Sequence, residues 1–206
     1  ALPICTYGWG SSWCNVPVHV SAAPFTAPKF RLTQARNTKI RLSITAAKPL
    51  LGVAPTNYQY TTDGGVTWTN FGDSSNLRRL TIEGLYNGMR YQIGVRAAVG
   101  KHGGVPSMLR SVTPFTVPDV AYIMEASSTR TAVKLDIFPP EFNGGRMITR
   151  YAYSLDGETW FNLGQSSSPL FIRGLKAGTT YQIRIKALNA GGWGAPSDAF
   201  EVTTKR

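Results

Sequence analysis

Eleven carboxylates, two histidines and two cysteines are the side chains of this chain that could do acid–base, nucleophilic or metal chemistry. Their spacing places none of them in such a role. His19 sits in VPVHVSA and His102 in VGKHGG, far apart and without a ligand-spaced partner. Cys5 and Cys14 supply two thiols where a structural zinc needs about four ligands, and no motif sets a histidine beside either to make it a nucleophile. There is no Gly-x-Ser-x-Gly elbow and no Gly-x-x-x-x-Gly-Lys-Ser/Thr phosphate loop. Asp63, Asp156 and Glu158 fall in Asp-Gly turns, where an aspartate caps its own backbone. Glu141, in PPEFNGG, has no counterpart to complete a glycosidase pair. No catalytic residue, metal ligand or cofactor is assigned, and a non-enzyme is expected.

The elements come from an internal repeat of about 90 residues. EGLYNGMRYQIGVRAAVG (83–100) matches RGLKAGTTYQIRIKALNA (173–190) at a constant offset of 90. YQYTTDGGVTWTNFG (58–72) matches YAYSLDGETWFNLG (151–164), and Pro106-Ser107 returns as Pro196-Ser197. Ile40, Leu42 and Ile44 alternate with polar residues, as do Val133, Leu135 and Ile137, which is the period of a half-buried strand. Asp-Gly steps between alternating runs mark hairpins. Tyr91, Ile93, Val95 and Ala97, and likewise Tyr181, Ile183, Ile185 and Ala187, form a further inward row in each repeat. Short strands with frequent turns, 21 glycines and 13 prolines point to an all-β sandwich or barrel. No window holds a 3.6-residue period, and no apolar run is long enough to insert in a membrane.

Both repeats resemble fibronectin type III domains. The signature is Leu-x-x-x-x-x-Tyr, Leu85 to Tyr91 and Leu175 to Tyr181, followed by Tyr-x-Ile-x-Val/Ile-x-Ala. The resemblance implies two seven-stranded immunoglobulin-like sandwiches in tandem, each with a tyrosine corner in which the hydroxyl bonds nearby backbone. It covers about residues 25–206. The family's tryptophan on the second strand is missing, with Ile44 and Ile137 in its place. The expected organisation is an N-terminal arm at 1–27, a first domain at 28–114 and a second at 115–206, joined near 113–118. TTDGGVTW and SLDGETW are similar to bacterial and bacteriophage versions of the family, found in virion and tail proteins and in secreted polysaccharide-degrading enzymes.

Charge and aromatics locate the expected contacts. Residues 29–114 carry 12 Lys/Arg against 3 Asp/Glu, residues 115–206 carry 10 against 8, and residues 1–28 carry none. Arg36, Lys39, Arg41, Arg78 and Arg79 are the candidate basic patch. The aromatics of both repeats are already explained as core, so nucleic acid is disfavoured. A solvated face and a surface for an acidic protein stand as equals. Tyr7, Trp9 and Trp13 fit packing on the first sandwich, an interface anchor or a small aromatic platform for carbohydrate, and Cys5 and Cys14 are close enough in sequence to bridge in an oxidising exterior. Trp193, in NAGGWGAP, is the candidate exposed aromatic of the second domain. The expected function is a structural protein of a virion, held on a capsid or tail protein by the arm and first domain. The rival is a carbohydrate-binding or spacer region of a secreted hydrolase, which would be extracellular and touch glycans.

Overall fold

Alternating side chains sort this chain into two sandwiches whose inner faces are almost wholly apolar. The structure is a computed structural model describing residues 24–50 and 52–206. In the first sandwich, β1 (Lys29–Arg36), β2 (Lys39–Thr45) and β5 (Leu80–Ile82) form one antiparallel sheet in the order β1-β2-β5. The facing sheet holds β3 (Asn57–Thr61), β4 (Thr69–Asn70), β6 (Tyr91–Val99), β7 (His102–Gly103) and β8 (Arg110–Val112). The second sandwich repeats this arrangement. One sheet is β9 (Tyr122–Ser128), β10 (Ala132–Phe138) and β13 (Leu170–Arg173). The other is β11 (Arg150–Ser154), β12 (Phe161–Asn162), β14 (Thr180–Asn189), β15 (Gly192–Trp193) and β16 (Phe200–Thr203).

Each sandwich has seven strands if β7 with β8, and β15 with β16, are each one interrupted strand. Pro106 and Pro196 cause the interruption, since proline offers no N–H to the ladder. The serine that follows repairs it. Ser107 Oγ accepts the Val95 N–H at 3.0 Å while its own N–H donates to Val95 O at 2.8 Å. Ser197 does the same with Ile185, at 3.0 and 2.8 Å. Interruption also lets His102 and Trp193, expected in loops, sit in short paired segments.

The expected inward rows are buried except at Tyr91 and Tyr181, which are half-buried and pack on the edge of their cores. Ile40, Leu42, Leu80, Ile82, Ile93 and Val95 fill the first core; Val133, Leu135, Leu170, Ile172, Ile183 and Ile185 fill the second. Phe25 belongs to the first core as well, fully buried and bridged to Pro49, although it lies in the segment expected as an arm. Both tyrosine corners form. Tyr91 Oη accepts the Tyr86 N–H at 2.8 Å and Tyr181 Oη accepts the Lys176 N–H at 2.9 Å, over the buried Leu85 and Leu175. Tyr91→Phe and Tyr181→Phe should each cost about 1 kcal/mol in denaturant melts, the net value of one hydrogen bond.

The Asp-Gly hairpins are longer than two-residue turns and are tied by their aspartates. Asp63 accepts N–H groups from Val66 and Thr67 at 3.0 Å and the Thr61 hydroxyl at 2.6 Å. Asp156 accepts from Glu158 N–H at 2.9 Å, Thr159 N–H at 2.8 Å and the Ser154 hydroxyl at 2.9 Å. Hydroxyl and backbone donors hold both carboxyls well below the usual carboxylate range, led by the Thr61 hydroxyl at Asp63 and the Thr159 N–H at Asp156. A depressed folded pKa gives stability that is complete above the unfolded value, about 3.9, and is lost as pH falls below it. Asp63→Asn and Asp156→Asn should therefore flatten the acid limb of a stability–pH curve, followed by thermal melts between about pH 5 and pH 2.

The two sandwiches share a seam of backbone hydrogen bonds. Pro114 O accepts the Gly88 N–H at 2.8 Å and Phe115 O the Asn37 N–H at 3.0 Å. Thr116 N–H donates to Gly144 O at 2.8 Å and Asp119 N–H to Phe142 O at 3.0 Å. Asn189 Nδ2 donates to Thr116 O and Asn143 O at 2.8 and 2.7 Å. The Phe115 ring lies against two guanidinium groups, Arg36 at 5.2 Å and Arg146 at 4.8 Å from its centroid. Gly145 has φ +80, and a Cβ there would stand 2.5 Å from the Gly88 nitrogen. Gly145→Ala should open the seam at a cost of about 1–3 kcal/mol. Small-angle X-ray scattering should show a longer, hinged particle while each sandwich keeps its β signature by circular dichroism.

Candidate docking face

Strand pairing, rather than sequence proximity, assembles the basic residues. Along β2 the inward positions are Ile40, Leu42 and Ile44, so Lys39, Arg41 and Ser43 point outward. Pairing then builds rows across the β1-β2-β5 sheet. Arg31 faces Ser43; Gln34 and Thr81 flank Arg41; Arg36 faces Lys39. Adjacent strands lie about 4.8 Å apart and same-face residues about 6.6 Å apart along a strand, so the cations form a compact field. Asn76 fixes the turn that presents Arg78 and Arg79. Its side chain accepts the Arg78 N–H at 3.0 Å and its carbonyl the Arg79 N–H at 3.1 Å. Thr33, Gln34, Arg41, Arg78, Arg79 and Thr81 line a polar cleft of about 640 Å³. A register shift between Leu32 and Gln34 re-aims β1 beside it.

The five basic residues singled out in the sequence have different occupations. Arg41, Arg78 and Arg79 meet at the cleft. Lys39 is paired with Glu83 at 2.8 Å, on an exposed edge where such a pair contributes little. Arg36 is engaged in the seam, donating to Ala190 O at 3.3 Å and stacking on Phe115. Lys29 and Arg31 lie on the same face and were missed, because β1 carries no clean apolar alternation to announce it. Among the described residues only Lys39 and Lys134 make ion pairs within 4.0 Å. No residue before Asp63 is acidic.

Trp193 is half-buried and paired opposite Leu188 on the outer face of the second sandwich. The Lys186 ammonium lies 3.9 Å from the Trp160 ring centroid and 5.2 Å from that of Trp193, and burial pushes its pKa down. Trp193 is thus packed against its own sheet through a cation–π contact. In the first sandwich Arg96 stacks on Trp68 at 4.3 Å and donates to Gln59 Oε1 at 2.7 Å. Gly103 stands where the second repeat has Trp193, and a Cβ there would fall 2.2 Å from Arg96 Nε. Tyr7, Trp9, Trp13, Cys5 and Cys14 lie outside the described residues. Among the described residues no three His, Cys, Asp or Glu side chains gather as metal ligands, and no helix is long and apolar enough to cross a membrane.

Comparison with known proteins places this geometry. The Fibronectin type III domain family matches residues 126–203. A Kelch domain-containing protein of Saccharolobus solfataricus is 28% identical over 138 residues, 64% of this chain and 19% of that protein. The chain therefore spans less than a fifth of that relative's length. Among solved structures, domains A168–A170 of titin align with a TM-score of 0.55 and 21% identity, over 88% of this chain and 68% of that one. Chicken CNTN1 FN1–FN3 domains align over 90% of this chain and 69% of that one, with a TM-score of 0.45 and 15% identity. The described chain is two fibronectin-type-III-like β-sandwiches in tandem.

Proposed function

We propose that the chain is a non-catalytic, protein-binding structural unit of a larger assembly, and that this assembly is a bacteriophage virion in which it decorates the capsid or serves the tail. The observation that carries the reading is the cationic face of the first sandwich. Arg31, Arg41, Arg78 and Arg79 stand together with no carboxylate among the described residues to neutralise them. Like charges held this close repel one another in the free protein. An acidic partner turns that cost into attraction. Guanidinium groups on a stiff sheet lose little freedom on docking, and charge complementarity speeds encounter. The segment before residue 24, with Tyr7, Trp9 and Trp13, adds aromatic burial to the anchor, and the second sandwich projects away.

The test is co-sedimentation with shells built from the capsid and tail proteins encoded beside its gene. Arg41→Glu with Arg79→Glu should weaken association at least about tenfold. Raising salt from about 0.05 to 0.3 M should weaken the wild type in the same direction. A deletion ending at residue 22 should release the protein with both sandwiches folded. It must stop there because Pro24 O accepts the Leu50 N–H at 2.9 Å and Phe25 is core. Full occupancy by both variants would defeat the anchor. A second reading is a carbohydrate-binding or spacer region of a secreted bacterial hydrolase, and a match to 19% of a larger Kelch domain-containing protein is in keeping with a place inside a longer chain. Retention on immobilised polysaccharide with no shell binding would decide for it.

A further inference from the structure

The flank of the first sandwich between β1 and β8 is open where the second sandwich is furnished from within. Strand pairing fixes the comparison. Phe30 pairs with Ile44 and Arg110 with Ile93; in the second sandwich Ile123 pairs with Ile137 and Phe200 with Ile183. Half-buried Phe200 thus stands at the position of Arg110, and the constant offset of 90 sets Asp198 at that of Met108. The second sandwich brings a ring and a carboxylate to this strand. The first leaves a groove of about 330 Å³, mostly apolar, lined by Pro28, Lys29, Phe30, Met108 and Arg110. Met108 is 89% exposed. A methionine left in water beside an apolar groove is costly and marks a contact surface.

The lining specifies an aromatic occupant. Lys29 and Arg110 border the groove, and a cation gains most over the face of an indole. The Met108 sulfur favours an aromatic edge. The Phe30 ring favours a second ring tilted against it, and the Arg110 guanidinium already lies 5.7 Å from its centroid. The chain delivers such a ring. Residues 1–23 lead into Pro24, whose carbonyl accepts the Leu50 N–H at 2.9 Å. They hold Trp9 and Trp13 and no Lys, Arg, Asp or Glu. The groove lies four to six residues beyond Pro24, about 13–20 Å along extended chain. The ten residues between Trp13 and Pro24 reach up to about 33 Å, enough to turn back to it. The chain entering the second sandwich is committed to the seam instead.

We propose that an indole from residues 1–23, Trp9 or Trp13, packs into this groove on the flank of its own first sandwich. The packing goes beyond the docking role of the cationic face and does not depend on it. Lys29 belongs to both surfaces, so a seated indole holds the segment beside the cations. One large ring fills a groove of this size, and Tyr7 with the other tryptophan stays outside it for the anchor. Uncharged, aromatic chain thereby abuts the arginine field, as buried rings and rim charges do in protein interfaces.

NMR of the full chain with labelled methionine methyl groups tests this, the Met108 signal being assigned by Met108→Leu. A seated indole should shift the Met108 methyl upfield through its ring current, and Trp9→Ala or Trp13→Ala should abolish the shift. Met108→Asp should speed chymotryptic cleavage at Trp9 and Trp13 at least about tenfold, because cleavage follows the population of released segment. Circular dichroism should stay unchanged. A Met108 methyl at its solvent-exposed position overturns the inference, as does a shift that neither tryptophan variant removes. A shift that disappears on dilution assigns the ring to another copy and overturns it too, as does cleavage that Met108→Asp leaves unchanged. Shell binding without the methyl shift would leave the proposed anchor standing, and the shift without shell binding would remove the anchor alone.

Discussion

Every strand in these sandwiches commits alternate side chains to the core, and that constraint governs what the rest of the surface is free to become. The two repeats agree at inward positions. Ile40 and Val133, Leu42 and Leu135, and Ile93 and Ile183 are all fully buried. An apolar row between sheets about 10 Å apart tolerates little change in volume. Outward positions carry no such demand. Arg41 and Lys134, Thr81 and Phe171, or Thr45 and Phe138 differ without disturbing the core beneath. Repetition of the fold with divergence of one outer face is how a single chain comes to carry two unlike surfaces on one scaffold.

The seam turns two such sandwiches into one body. Four residues of the connecting chain, Pro114, Phe115, Thr116 and Asp119, place peptide groups on turns of both neighbours, which offsets the cost of ordering them. The arrangement has a local cost. Asn37 and Thr38, at the β1–β2 turn, have φ of 51° and 63°. Thr38 is a β-branched residue in a left-handed conformation that such residues rarely adopt. Its carbonyl accepts the Leu85 N–H at 3.0 Å, its N–H donates to Asn87 Oδ1 at 3.0 Å, and Asn37 N–H reaches Phe115. Surrounding hydrogen bonds therefore hold a strained turn against the junction. Both non-glycine residues with positive φ among the described residues lie in this turn, not in its counterpart in the second sandwich.

Much of the fold was legible because it rests on local pattern. Alternation names the inward rows, a constant offset names the repeat, and Leu85 and Tyr91 are near enough in sequence to declare their corner. Ser107 and Ser197 stood in plain view as a repeated Pro-Ser. Their work in bridging a broken strand is a matter of hydrogen-bond direction, which residue type alone does not carry. Arg36 illustrates the opposite limit. Its partners are Phe115 and Ala190, the latter 154 residues away, so nothing near it in sequence separates a seam residue from a solvated arginine. Lys29 and Arg31 escaped for a related reason: β1 is a bulged edge strand with few buried side chains, and an edge strand leaves a faint periodicity.

The cationic face is the part of the molecule least explained by folding. Arginines on neighbouring strands of one sheet repel rather than support one another, and the core beneath is complete without them. Lys39 shows how the fold can moderate such charge, by setting Glu83 opposite at 2.8 Å. The second sandwich does it again with Lys134 and Asp136 on the same sheet. Arg41 and Arg79 receive no such treatment, although Thr81, Ser43 and Gln34 beside them are positions where a carboxylate would fit the pleat. Among the described residues the Arg41 and Arg79 guanidinium groups face outward and donate no hydrogen bond to a protein acceptor. A surface that costs stability and turns its donors toward solvent meets the requirement of the docking proposed for it, because an acidic partner would relieve the repulsion and take up the donors.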